Sequence, residues 1–219
     1  MFLTNTLTAI TVAFALLSHP AISLASQQGR QVDSVVASSN IEALTALEAD
    51  NLTYMREEEK LARDVYLTLY EVWNLNIFSN IATSEQTHTD AVAEMLEKYK
   101  LPDPVVDDRV GVFVNQTLAQ LYETLLARGY QSSLEALYVG ALIEEVDMVD
   151  LKRAIEETDN EDIQQLYENL LSGSRNHLRA YVGLIEDQGI VYEAQFLPQE
   201  EVDAIVDSPM ERGKGGGRR

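Results

Sequence analysis

The chain has 219 residues, a formal net charge of −20 and no cysteine. The acidic balance argues against a nucleic-acid-binding protein, because no basic stripe is present to meet phosphates. The lack of cysteine excludes disulfides, thiolate metal sites and thiol nucleophiles. With 46% apolar residues, the chain has the composition of a globular protein of one domain.

The first 25 residues are typical of a secretory signal. They contain no charged side chain, Val12–Leu17 is an unbroken apolar run, and Ser23-Leu24-Ala25 offers small residues to a signal peptidase, although the usual early positive charge is missing. We therefore expect cleavage near Ala25 and a secreted or periplasmic protein with no membrane span after signal removal. The expected division of the chain is a signal at 1–25, a flexible leader at 26–40, a helical bundle at 41–206 and a disordered basic tail at 207–219.

Apolar residues recur at helical spacing in four segments of the central region. The first helix carries an apolar stripe from Met55 to Trp73, and the second runs from about Asn80 to Tyr99. The third carries a stripe from Leu137 to Ile155, and the fourth carries one from Ile163 to Leu184. Gly173 interrupts the fourth helix at a propensity cost of about 1 kcal/mol relative to alanine, which suggests that a close contact requires it.

A long connection, residues 101–132, separates the two pairs of helices and contains a short amphipathic helix that Gly129 is expected to cap. Two capping boxes are expected to start the third and fourth helices: Ser132 with Glu135, and Thr158 with Glu161. Two helical hairpins joined by a long crossover predict an all-α fold, a ferritin-like antiparallel four-helix bundle with a short extra helix in the connection between helices two and three.

Several carboxylates lie on these apolar stripes, as do both histidines that follow the predicted signal. Glu85 and His88 share one face of the second helix, Glu144 with Asp147 lies on the stripe of the third, and His177 lies on that of the fourth. A buried carboxylate needs a partner or a metal ion, because an unpaired charge in a core is very costly. Each histidine alone could be a satisfied core residue, but the whole set favours a carboxylate–histidine metal site.

The first helix leaves its ligand open, because Glu57, Glu58 and Glu59 are consecutive and at least one of them is expected to face water. Periodicity slightly favours Glu58, whereas Glu59 lies on the row of Met55 and Tyr66.

Three segments resemble rubrerythrins. Glu59–Tyr66 resembles the Glu-x-x-Ala-Arg-x-x-Tyr of their first helix, Glu85–His88 their second-helix Glu-x-x-His, and Glu161–Tyr181 their fourth helix. The chain from about Tyr54 to Val206 is still more similar to a bacterial and archaeal ferritin-like family known as a domain of unknown function. The sequence motifs that recur in this family correspond in this chain to Met55–Ala62, Ser79–Ala82 and Gly173–Arg179.

The resemblance implies a metal site inside the bundle, with one departure. Its implied ligands are Glu59, Glu85, His88, Glu144 and His177, with Asp147 as an additional carboxylate and Glu58 as the reserve for Glu59. Glu59 and Glu144 would bridge or flank two ions, while Glu85, His88 and His177 would hold one each. Ser174 stands where the family pattern has a fourth-helix carboxylate, which suggests fewer carboxylates on the second ion or a single ion.

The implied cofactor is iron, two ions per site, with manganese as the alternative, since oxygen and imidazole ligands suit both. The implied activity is Fe(II) oxidation or peroxide reduction, with oxygen or peroxide as substrate; Tyr66 and Tyr181 would be core aromatics near the site, or donors to it. One rival is a non-enzymatic metal- or partner-binding module whose site only stabilises the fold. Another is a metal-free core of salt bridges to Arg63 or Arg179. The sequence does not decide which metal is native or whether the chain forms a homodimer.

Overall fold

The computed structural model describes residues 43–211, and this part of the chain is entirely helical apart from its loops. Its six helices are α1 (Ala46–Trp73), α2 (Asn76–Tyr99), α3 (Gln116–Gly129), α4 (Ser133–Glu156), α5 (Glu161–Glu186) and α6 (Gln199–Val206). The predicted all-α class is confirmed. The predicted signal at 1–25, the leader at 26–40 and the end of the predicted tail, 212–219, lie outside the described residues.

The four long helices form two hairpins. Residues 74–75 join α1 to α2, and residues 157–160 join α4 to α5, so each connection is too short for anything but antiparallel neighbours. The hairpins pack together through contacts of α1 with α4 and of α2 with α5. The crossover, residues 100–132, links the hairpins and contains α3, which packs on α1 and α4. This is the predicted connectivity.

Two helix ends differ from the expectations. The second helix begins at Asn76 rather than near Asn80, with no side-chain cap on its first turn. Gly129 is not a left-handed cap but the last residue of α3. It is small because a Cβ there would lie 2.7 Å from Cδ2 of Leu69, and its carbonyl accepts a 2.9 Å hydrogen bond from the indole of Trp73.

The starts of α4 and α5 also differ from the two predicted capping boxes. Ser132 accepts a 3.0 Å hydrogen bond from the backbone of Glu135, as expected, but the Glu135 carboxylate pairs with Arg128 instead of closing the box. The cap of α5 is Asn160 rather than Thr158. The hydroxyl of Thr158 instead donates to Glu48, the residue that completes a full capping box with Thr45 at the start of α1.

Buried charges on α1 hold the crossover in place. Glu57 accepts hydrogen bonds from the backbone of Val114 at 2.6 Å and of Asn115 at 3.0 Å. Asp64 accepts one from the backbone of Gly111 at 2.9 Å and pairs at 2.5 Å with Lys60, whose side chain is fully buried. These contacts cover the face of α1 that would otherwise be open to water.

The C-terminal segment is fixed in a similar way. Glu145 accepts hydrogen bonds from the backbone of residues 195–197. On α5, Arg175 pairs at 2.5 Å with Glu211, and Arg179 donates to the backbone of Ile205 at 2.7 Å. The described structure therefore keeps residues 207–211 on the bundle, although the sequence placed them in the tail. Between residues 43 and 211, no helix combines the length and apolarity needed to cross a bilayer.

Candidate metal centre

Five of the six predicted ligands converge in the middle of the bundle. Two groups of side chains bring one ligand atom per residue to within 4.8 Å of one another: Glu59 with Glu85 and His88, and Glu85 with Glu144 and His177. We call these five residues the carboxylate–histidine cluster. Glu85 belongs to both groups, and every member is buried except His88, whose side chain is 12% exposed.

Glu85 lies between the two histidines. Its Oε2 is 2.7 Å from Nδ1 of His88, and its Oε1 is 2.8 Å from Nδ1 of His177. Glu59 Oε2 lies 3.3 Å from the same nitrogen of His88, and Glu144 Oε2 lies 3.4 Å from that of His177. Because α2 contacts both α1 and α5, the bridging position falls to Glu85, whereas Glu59 and Glu144 flank the histidines on either side.

The three consecutive glutamates of α1 have three different environments. Glu57 binds the crossover, Glu58 Oε1 lies 3.4 Å from the hydroxyl of Tyr54, and Glu59 approaches His88. The structure thus places Glu59, rather than Glu58, in the cluster. The expectation that one of the three faces water is wrong, because all are at most 7% exposed.

Asp147 lies outside both ligand groups. Its Oδ2 accepts a 2.5 Å hydrogen bond from Ser174, and its Oδ1 is buried without a hydrogen-bond partner. Ser174 is only 1% exposed. A carboxylate from α4 therefore approaches the position on α5 where the family pattern has its own carboxylate.

Neighbouring residues orient the cluster. Ser84 lies 2.9 Å from Nε2 of His177, so the other ring nitrogen faces Glu85. A Cβ on Gly173 would lie 2.5 Å from Cε1 and 2.6 Å from Nε2 of His88, which confirms that this glycine makes room for a close contact. The hydroxyl of Tyr66 donates to Glu144 Oε1 at 2.6 Å.

Burial and the neighbouring charges shift the pKa values of the histidines in the cluster in opposite directions. Burial opposes the charged form of His177, but the carboxylates of Glu85 and Glu144 prevail and raise its pKa to about 10. Burial likewise opposes charge on His88, yet Glu85 and Glu59 raise its pKa well above the ordinary value. Burial raises the pKa of Glu59 to about 7.

Burial and neighbouring charges also shift the pKa values of the other carboxyls. Burial would raise the pKa of Glu85, but the two histidines together hold it below the usual range. Burial raises the pKa of Glu144, and that of Asp147 well above its ordinary value. A cation at the cluster would compete with the protons on the histidines, because only neutral imidazole is a ligand.

The two arginines considered as salt-bridge partners are used elsewhere. Arg63 pairs with Asp64 at 2.8 Å and with Asp108 at 2.7 Å, and Arg179 binds the C-terminal segment. In residues 43–211, neither guanidinium pairs with a member of the cluster, so a core of arginine salt bridges does not account for these carboxylates.

The fold and the cluster together define an all-helical bundle with buried carboxylates and histidines that could hold metal ions. Residues 48–209 match the family described as "Uncharacterized protein domain (DUF2202)", and the chain belongs to this family. It is 54% identical over 166 residues to Uncharacterized protein MJ0754 of Methanocaldococcus jannaschii, covering 76% of this chain and 90% of that protein. The crystal structure of hypothetical protein MJ0754 from Methanococcus jannaschii is similar, with a TM-score of 0.77 and 51% identity over 80% of this chain and 100% of that one.

Proposed function

We propose that this chain is an exported, ferritin-like protein that binds two transition-metal ions in the carboxylate–histidine cluster. The observation that carries the proposal is the position of Glu85, whose two oxygens each face a different histidine nitrogen. A carboxylate in that position could bridge two ions, with Glu59 and His88 available to hold one and Glu144 and His177 available to hold the other.

The donor set fits such ions. Mixed oxygen and imidazole ligands suit iron or manganese, and iron is the metal that the ferritin-like resemblance implies. Nδ1 of His177 is ion-paired with Glu85 and Glu144, and Oε1 of Glu59 is buried without a hydrogen-bond partner. A metal ion would take the place of the proton between Nδ1 of His177 and these carboxylates, and it would give Oε1 of Glu59 a partner.

The arrangement supports redox chemistry through the roles of its side chains. Two iron ions would supply electrons to oxygen or to peroxide. Glu59 with His88 and Glu144 with His177 would hold one ion each, while Glu85 would hold both in register. The hydroxyl of Tyr66 donates its hydrogen bond to Glu144 Oε1, which favours the ionised form of that carboxyl, and it could supply a proton to the site.

The alternative is a non-enzymatic bundle whose metal site only stabilises the fold. One observation favours it. Ser174 stands in place of an expected carboxylate, and its hydroxyl donates a hydrogen bond to Asp147. An ion held by His177 would therefore have fewer oxygen ligands than the resemblance implies.

Anaerobic loading with Fe(II) followed by addition of oxygen or peroxide tests the redox proposal. We expect rapid formation of Fe(III) in the wild type, and its loss in His88→Ala and His177→Ala together with much of the bound iron. Tyr167→Phe is the matched control, since Tyr167 is buried but lies outside the cluster. Iron that binds but does not react would support the structural alternative.

Intact-mass measurement on protein from an exporting host tests export, with loss of about 25 residues as the expected result.

A further inference from the structure

The two halves of the carboxylate–histidine cluster contain the same kinds of ligand. Glu59 and His88 form one half, which we call the His88 half, and Glu144 and His177 form the other, which we call the His177 half. Each half has one imidazole and one carboxylate of its own, together with one oxygen of the shared Glu85. Because the ligands are alike, a difference in metal affinity between the halves depends mainly on how firmly these ligands are held in place.

Both ligands of the His177 half are held by residues outside the cluster. The hydroxyl of Ser84 lies 2.9 Å from Nε2 of His177, so Nδ1 is the nitrogen directed at Glu85. Ser84 and Glu85 are consecutive in α2, so one helix contacts both nitrogens of the same ring. The fully buried Tyr66 donates a 2.6 Å hydrogen bond to Oε1 of Glu144, which leaves Oε2 directed at His177. The imidazole and the carboxylate are therefore oriented before any ion binds.

The His88 half lacks such contacts. Within residues 43–211, the carboxylates of Glu85 and Glu59 approach only Nδ1 of His88, at 2.7 Å and 3.3 Å. Nε2 of His88 faces Gly173, where a Cβ would lie 2.6 Å away. Oε1 of Glu59 is buried without a hydrogen-bond partner. Neither ligand of this half has a hydrogen bond to a residue outside the cluster, so both must become ordered when an ion binds.

A histidine that binds a metal ion through Nδ1 carries its proton on Nε2, and a hydrogen bond from that N–H fixes the ring. Ser84 supplies the acceptor for His177, whereas no residue in the described part of the chain supplies one for His88. We propose that Ser84 is a positioning residue and that the two metal positions are unequal. The first ion binds in the His177 half, and the ion in the His88 half binds more weakly and exchanges with solution. This inference rests on the proposed two-ion site.

Calorimetric titration of the metal-free full chain with Mn(II) tests this inequality. We expect two binding steps of different affinity in the wild type. Ser84→Ala should weaken the tighter step by about 10- to 100-fold, the usual effect of removing the outer partner of a metal-binding histidine. Ser84→Thr keeps a hydroxyl and should restore that step. Thr83→Ala is the matched control, because this neighbouring hydroxyl is exposed and donates to the backbone of Ser79.

Two histidine variants assign the steps to the halves. His88→Ala should lose the weaker step and keep the tighter one, and His177→Ala should do the reverse. Thermal unfolding of the metal-free proteins separates positioning from stability, because Ser84→Ala should then have the same Tm as Thr83→Ala. Two equal steps in the wild type, or a tighter step that survives Ser84→Ala or depends on His88, would refute the unequal positions and leave the two-ion proposal intact. Binding of no Mn(II) would overturn both.

Discussion

Gly173→Ala separates the metal site from the stability of the bundle. A Cβ at this position would lie 2.5 Å from Cε1 of His88 and 2.6 Å from Nε2, so the imidazole must move. Overpacking of this kind costs about 1–3 kcal/mol, whereas alanine in place of a mid-helix glycine contributes about 1 kcal/mol. The net loss of stability should therefore be small, between about 0 and 2 kcal/mol. Metal affinity should fall far more, by about 10- to 100-fold, because a displaced His88 no longer meets Glu85 and Glu59.

The same helix offers a matched control. A Cβ on Gly183 would meet nothing within 4 Å, so Gly183→Ala should raise stability by up to about 1 kcal/mol and leave metal affinity unchanged. Urea unfolding of the metal-free proteins gives the stabilities, and competition with a chelator gives the affinities. If Gly173→Ala behaves like Gly183→Ala in both assays, His88 is not a ligand in the position described.

Three further outcomes follow from the buried charges. Asp64→Asn should cost about 3–5 kcal/mol in urea unfolding, because it leaves the fully buried ammonium of Lys60 without its partner. Hydrogen bonds from Arg175 lower the pKa of Glu211 from 4.5 to about 2, so its stabilising contribution is present above pH 4.5 and lost as pH falls towards 2. Glu211→Gln should thus cost about 1 kcal/mol at pH 7 after solvent screening and nothing near pH 2 in thermal melts. Metal binding at pH 7 should release protons to a pH indicator and weaken as pH falls, because His177, with a pKa of about 10, must lose its proton to become a ligand.

Spacing along single helices predicted the helices and placed Glu85, His88, Glu144 and His177 on buried rows, whereas Glu59 was indicated only by the family resemblance, because periodicity slightly favoured Glu58. Glu85 and His88 share a face, and His177 lies on the buried row of its own helix, so packing the stripes brings them together. Spacing could not show which carboxylate bridges. That depends on where α2 lies relative to α1 and α5, a property of the packed bundle rather than of any one helix.

Other differences arise from contacts between distant parts of the chain. Periodicity placed some of the α1 glutamates in water because it contains no information about the crossover, which supplies the backbone donors that bury Glu57. Ser84 was missed because an isolated serine carries no pattern that points to His177 on another helix. Gly129 looked like a cap because glycine is frequent there, whereas its size is required by Leu69 on α1.

The proposal that Glu85 bridges two ions is tested most directly by electron paramagnetic resonance of protein loaded with Mn(II). We expect two Mn(II) ions per chain with the spectrum of a magnetically coupled pair, because a carboxylate shared by two ions would hold them within about 4 Å of each other. We also expect Glu85→Gln to lose the coupling. Two ions with independent, uncoupled spectra, or coupling that survives Glu85→Gln, would contradict the bridging role of Glu85.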